Sequence, residues 1–271
     1  TASATPYPVL TIASLLAWGL GYFGMPHILL RFMAIEDDEK VKLSRRVASI
    51  WVVISMAVAI IIGIVGLAMS RAGAIADLDG SQSETIIVHI AQLLSRYGFF
   101  AAILAGIVLS GILASTMSTA DSQLLAASSS ISNDLMSKFF HIKASETTRL
   151  VVSRISLIII AIIGVVLAWD PNASVFRIVS FAWAGFGAAF GPVMLLALFW
   201  KRSNKAGAIA GMLAGGIMVF AWKFGISQLG GAFAIYELLP SFLVGLLTDI
   251  IVSLLTPAPD QKIVETFNSI K

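Results

Sequence analysis

The chain has 271 residues, 58% of them hydrophobic and only 12% charged, with a mean hydropathy of +0.93. A soluble domain is about a quarter charged, so one large water-facing globule is excluded. The net charge of +3 needs no nucleic acid to explain it, and the absence of cysteine excludes disulfides and thiolate metal sites.

Seven apolar segments follow in chain order, at 9–33, 50–69, 99–125, 151–169, 175–200, 206–226 and 234–255. Each is long enough for the ~20 helical residues that cross a ~30 Å hydrocarbon layer. They are apolar on every face and too long for strands, so the predicted class is an all-α membrane protein with seven transmembrane helices. No basic, apolar leader opens the chain, and its start at Thr1 leads us to expect a trimmed or partial protein.

Lys and Arg crowd alternate connections. Arg31, Lys40, Lys42, Arg45 and Arg46 lie in or beside the first, Lys138, Lys143, Arg149 and Arg154 the third, Lys201, Arg202 and Lys205 the fifth. The positive-inside rule then predicts an external N-terminus and a cytoplasmic C-terminus. Two further helical pieces are expected. Residues 83–96 carry Ile86, Ile87, Ile90, Leu93 and Leu94 near helical spacing, as a short external helix on the membrane face would. The third span is expected to run on through residues 126–140.

The first span reads WGLGYFGMPH from Trp18 to His27. Glycine costs about 1 kcal/mol and proline about 3 inside a helix, relative to alanine. A break at mid-membrane depth frees backbone groups that lipid cannot satisfy, and such breaks form substrate and ion sites in secondary transporters. A kinked helix with small residues for close packing is the other reading. Trp18, Tyr22 and Pro26 are spaced four apart and would share one face of a continuous helix.

In the third span, Ser115, Ser118, Thr119 and Ser122 form a hydroxyl stripe at i, i+3, i+4 and i+7. Hydroxyls with a loosened carbonyl suit a small hard cation; interhelical hydrogen bonding is the alternative. Asp121 is an acid near the cytoplasmic end of this span. The fifth span alternates small and aromatic residues from Phe181 to Pro192, which fits packing or a solute-facing lining. His27, His89 and His141 are isolated, with no nucleophile triad or phosphate-cradling loop, so an enzyme has no residues to stand on.

Four stretches together resemble the sodium/solute symporter family, most nearly its sodium/proline symporter branch. They are the Trp18–His27 run with Arg31 to Ala34, MSTADSQ from Met117 to Gln123, WAGFGAAFGP from Trp183 to Pro192, and Leu198 to Arg202 followed by Gly207 to Gly211. The resemblance implies an inverted-repeat symporter fold. Residues 1–200 would be its second five-helix repeat and residues 201–271 two C-terminal helices. It implies that Trp18, Tyr22 and Pro26 line a substrate pocket. It also implies that Ser118 and Thr119, with the Ser115 carbonyl, bind sodium as the coupling ion, with no other cofactor.

Met25 stands where close members carry Gln, which bears on specificity. The implied activity is sodium-coupled uptake of a small solute, proline first, with other amino acids, betaines or small carboxylates as alternatives. The implied partners are that solute, sodium, the bilayer and an N-terminal half outside this chain; the implied location is the plasma (inner) membrane. A seven-span receptor and a structural membrane subunit are the readings from other classes.

Overall fold

The computed structural model describes residues 8–170 and 173–269, and the described chain is helical with no strand. Among the described residues six helices are long and apolar enough to cross a membrane, and the pair Val9–Gly21 with Pro26–Met33, bent by 43°, makes a seventh where it is counted as one span. The expected multi-pass all-α membrane architecture is therefore what is found. The helices divide into two compact units, one of residues 1–34 with 176–271 and one of residues 35–175.

The first unit contains α1 (Val9–Gly21), α2 (Pro26–Met33), α7 (Val175–Phe199), α8 (Lys205–Phe224), α9 (Leu238–Leu255) and α10 (Gln261–Ser269). Its core is Ala184, Ala188, Val219, Leu238 and Phe242. Small residues dominate this core because the helices meet through their backbones. Pro192 lies inside α7 and offers no N–H to the carbonyl of Ala188 one turn back. Two glycines from the neighbouring helices close on that carbonyl. A Cβ added to Gly215 of α8 would lie 2.2 Å from Ala188 O, and one added to Gly245 of α9 would lie 3.0 Å from it. Proline here is tolerated because neighbouring helices cover the freed group.

The α8–α9 hairpin is fastened at its other end by Asn204. Its Oδ1 accepts the Gly207 N–H at 2.9 Å, capping α8, while Nδ2 donates to Ser253 O, Thr256 Oγ1 and Pro257 O. Arg202 adds a bond to Thr256 O at 2.7 Å.

The second unit contains α3 (Asp38–Arg71), α4 (Ile86–Ser95), α5 (Phe99–Ser129) and α6 (Glu146–Leu167). The short helix expected at 83–96 is α4, entered through a 3-10 turn at Gly80–Thr85. Ile86 packs where a Cβ on Gly66 would lie 2.3 Å from its Cγ1. The third span does run on, and its last ten residues, Ser130–Phe139, are wound as a π-helix. This wider coil, with i→i+5 bonds, recurs at functional sites.

Three boundaries differ from the apolar pattern. α3 begins twelve residues before the apolar run, at Asp38, because Asp37 caps it by accepting Glu39 N–H and charged residues are good helix formers. The last span starts at Leu238, because residues Gly231–Ala234 form a 3-10 turn. α10 lies beyond the seven apolar runs; it is a short amphipathic helix with Ile263, Val264 and Phe267 on one side.

Candidate functional site

The expected break in the first span is present. α1 ends at Gly21, residues 22–25 leave the helix, and α2 restarts at Pro26 with a bend of 43°. Proline suits the first helical position, where its missing N–H costs nothing. Met25 is extended, with φ −78° and ψ 115°, and only 8% exposed, so its thioether packs inward.

The break survives because α7 presses against it. A Cβ on Gly21 would lie 1.9 Å from Trp183 Nε1, and one on Gly24 would lie 2.3 Å from Phe186 O. The carbonyl of Trp18 is one of the last four of α1, which have no partner within the helix. It accepts the indole N–H of Trp183 at 3.0 Å. A side chain from a second helix thus replaces a backbone donor at the bend.

Three rings pack around Trp18. Phe176, Trp183 and Tyr236 lie near-parallel to it, with centroids 5.2, 5.6 and 5.9 Å away. Tyr22 meets Trp183 edge-on at 4.9 Å. Trp18 and Tyr22 are therefore brought together through Trp183, while Pro26 begins the next helix and stands exposed. The shared helical face is interrupted, because α1 ends at Gly21 and the chain passes through extended Met25 before α2 begins. Tyr22 is 52% exposed, so its ring is open to a ligand where that of Trp18 is crowded. Trp183 falls in the stretch whose pattern fits packing as well as a lining; its i, i+4, i+7 spacing with Phe176 and Ser180 is the signal that singles it out. Nothing in the sequence points to Tyr236, which is brought in by the return of the chain into α9.

The hydroxyl stripe lies on α5 in the other unit. Thr119 Oγ1 donates to Ser115 O at 3.2 Å, so two of the expected sodium ligands are adjacent. Ser115, Thr116, Thr119, Ala120 and Gln123 line an open groove of about 380 Å³. Ser118 is one residue, about 100° of helix, away from Thr119 and outside that lining. Its carbonyl accepts from Ser122 Oγ at 3.0 Å. α5 is unbroken here, so the carbonyl of Ser115 is an ordinary helical one, and the loosened backbone expected at this point is not present. Hydroxyl and carbonyl oxygens remain hard donors of the kind small cations take. Ser115, Ser118, Thr119 and Asp121 are all exposed. They belong to a different compact unit from Trp18, Tyr22 and Pro26.

Comparison with known proteins gives a consistent picture. The model of the "Sodium:solute symporter family" matches residues 4–215. The chain is 44% identical to a sodium/proline symporter of Haemophilus influenzae, over 98% of this chain and 51% of that protein. It is 42% identical to the high-affinity proline transporter PutP of Bacillus subtilis, over 96% of this chain and 52% of that protein. A sodium/proline symporter of Escherichia coli is 39% identical, over 94% of this chain and 49% of that protein. The chain thus spans about half the length of the curated relatives it matches. No solved structure matches it.

Proposed function

The chain belongs to the sodium:solute symporter family, and from that premise we propose that it is the C-terminal part of a transporter coupling sodium entry to uptake of a small zwitterion, proline first. The observation that carries this is the break at residues 22–25, a stretch of non-helical backbone held between helices with Tyr22 and Pro26 open beside it. Unwound backbone at membrane depth is tolerated where protein buries it or it lines a wet cavity, and it supplies oriented polar groups to a solute. The apolar rings of Trp18, Tyr22 and Trp183 suit a compact ring such as that of proline. Met25, packed inward where close members carry Gln, is a departure from the proline pattern, so other small solutes are tested beside proline.

In this reading Ser118 and Thr119, with Ser115 O, form one side of the sodium site. Their exposure agrees with a second side contributed by the N-terminal half of the transporter. Residues 1–200 form the second five-helix repeat and residues 201–271 the appended helices. The distribution of Lys and Arg supports an external N-terminus for this segment and a cytoplasmic C-terminus, in the plasma membrane. Sodium and solute affinities would then be linked reciprocally, each ligand raising the affinity for the other.

The test is uptake of labelled proline by the complete protein in proteoliposomes under an imposed sodium gradient. Thr119→Ala is expected to raise the half-saturating sodium concentration about tenfold, with Thr119→Ser close to wild type. Tyr22→Ala is expected to raise KM for the solute more than it changes sodium affinity. Uptake indifferent to sodium in the wild type would refute the symport reading. A Thr119→Ala protein with unchanged sodium dependence would refute the ion site.

A further inference from the structure

Tyr236 lies just before α9, 218 positions after Trp18, in a part of the chain to which the pocket assignment gives no role. It nevertheless makes three separate contacts with α1 and α7. Its backbone N–H donates to Ser14 Oγ of α1 at 3.0 Å. Its phenol donates to Ser180 O of α7 at 2.6 Å. Its ring stacks on Trp18 at 5.9 Å with the planes 19° apart. One residue therefore grips the half-helix that carries the bend and the helix on which the bend packs.

The segment around Tyr236 is itself held from the far side. Trp222 Nε1 donates to Ile235 O at 3.2 Å, and Lys223 Nζ lies 3.1 Å from Glu237 Oε1. Glu237 is 5% exposed, so this ion pair is largely shielded from water at the acidic partner. The end of α8 thus braces residues 235–237, and they in turn brace α1 and α7. Side chains that hold a binding ring act through its rotamer and position, and a small misplacement of such a ring is costly in affinity.

We propose that Tyr236 is a positioning residue of the solute pocket, through which the C-terminal helix pair α8–α9 sets the place of Trp18 and the angle of the broken helix. The inference rests on the pocket reading above and extends it to residues beyond the five-helix repeat.

The experiment again uses the complete protein. Tyr236→Ala is expected to raise KM for labelled proline about tenfold while kcat and the half-saturating sodium concentration stay within about twofold. Tyr236→Phe keeps the ring and the backbone bond, and KM is expected to rise about threefold or less. Ser14→Ala removes only the hydrogen bond from the Tyr236 backbone N–H and serves where Tyr236→Ala fails to fold; a raised KM with unchanged kcat is expected there too. A second measurement needs no transport. Near-ultraviolet circular dichroism reports the stacked indoles of Trp18 and Trp183. That signal should be lost in Trp18→Phe, lost in Tyr236→Ala and retained in Tyr236→Phe. A wild-type KM or an unchanged indole signal in a folded Tyr236→Ala protein would overturn the proposal. If Trp18→Ala leaves KM unaltered, the pocket reading fails separately, and the indole signal alone decides whether Tyr236 positions Trp18.

Discussion

The two units bury their spans to very different degrees. In the most apolar windows of α7, α8 and α9, 28%, 17% and 33% of residues are buried, against 6% in each of α3, α5 and α6. The difference lies in how the helices approach. In the first unit glycines let backbones meet, so carbonyls and small side chains do the packing. In the second, a Cβ added to Gly106 or Gly111 of α5 would meet nothing within 4 Å, and the neighbouring hydroxyls stand open. The rings around Trp18 thus pack within their own unit, and the hydroxyl stripe stands exposed on its helix.

The largest effect expected from this contrast concerns glycine. Gly215→Leu would drive a side chain into Ala188 O, and overpacking at backbone contact should cost about 3 kcal/mol or more. Gly111→Leu on α5 meets nothing within its own unit and should cost at least about 1 kcal/mol less than Gly215→Leu. Thermal unfolding of the two variants of the complete protein in detergent compares them directly. Equal losses would break the distinction between the units.

A smaller difference is expected between two helix caps. Asn204 of the first unit caps α8 and also makes three bonds to the end of α9. Ser145 of the second caps α6 by accepting Thr148 N–H at 3.2 Å, and among the described residues its hydroxyl otherwise bonds the Thr148 hydroxyl alone. Asn204→Ala should cost about 2 kcal/mol and Ser145→Ala about 1 or less. Guanidinium or thermal midpoints would rank them, and a larger loss at Ser145 would reverse the comparison.

The finest effect is expected at Trp183→Phe, which keeps a ring against Trp18 but removes the donor to its carbonyl. One hydrogen bond of about 1 kcal/mol is at stake. Its loss should raise KM for the solute about fivefold with folding retained. An unchanged KM would mean that the bend is held by ring packing and glycine contact alone.

Much of this was legible in the residues. The seven apolar runs, the short helix within residues 83–96 and the continuation of the third span follow from hydrophobic length and period, which are local properties of the chain. The break near Tyr22 was legible because Gly21, Gly24 and Pro26 carry backbone costs wherever they fall in a helix. The hydroxyl stripe was legible as a face, since i, i+3, i+4 and i+7 align on any helix. Its backbone state was not, because whether Ser115 O is loosened depends on what neighbouring helices press against it. Trp183 could be seen as aromatic but not as the donor to Trp18 O, since the bond joins residues 165 positions apart.

The residues by themselves decided that this is a multi-pass helical membrane chain with one interrupted span and one hydroxyl-faced helix, because solvent preference and backbone cost act over one or two turns. Only tertiary structure decided that Gly215 and Gly245 close on the carbonyl beside Pro192, and that Tyr236 returns to stack on Trp18. Those contacts depend on which helices lie side by side. Neighbourhood in space is set by packing the whole unit, and no local stretch of residues carries it.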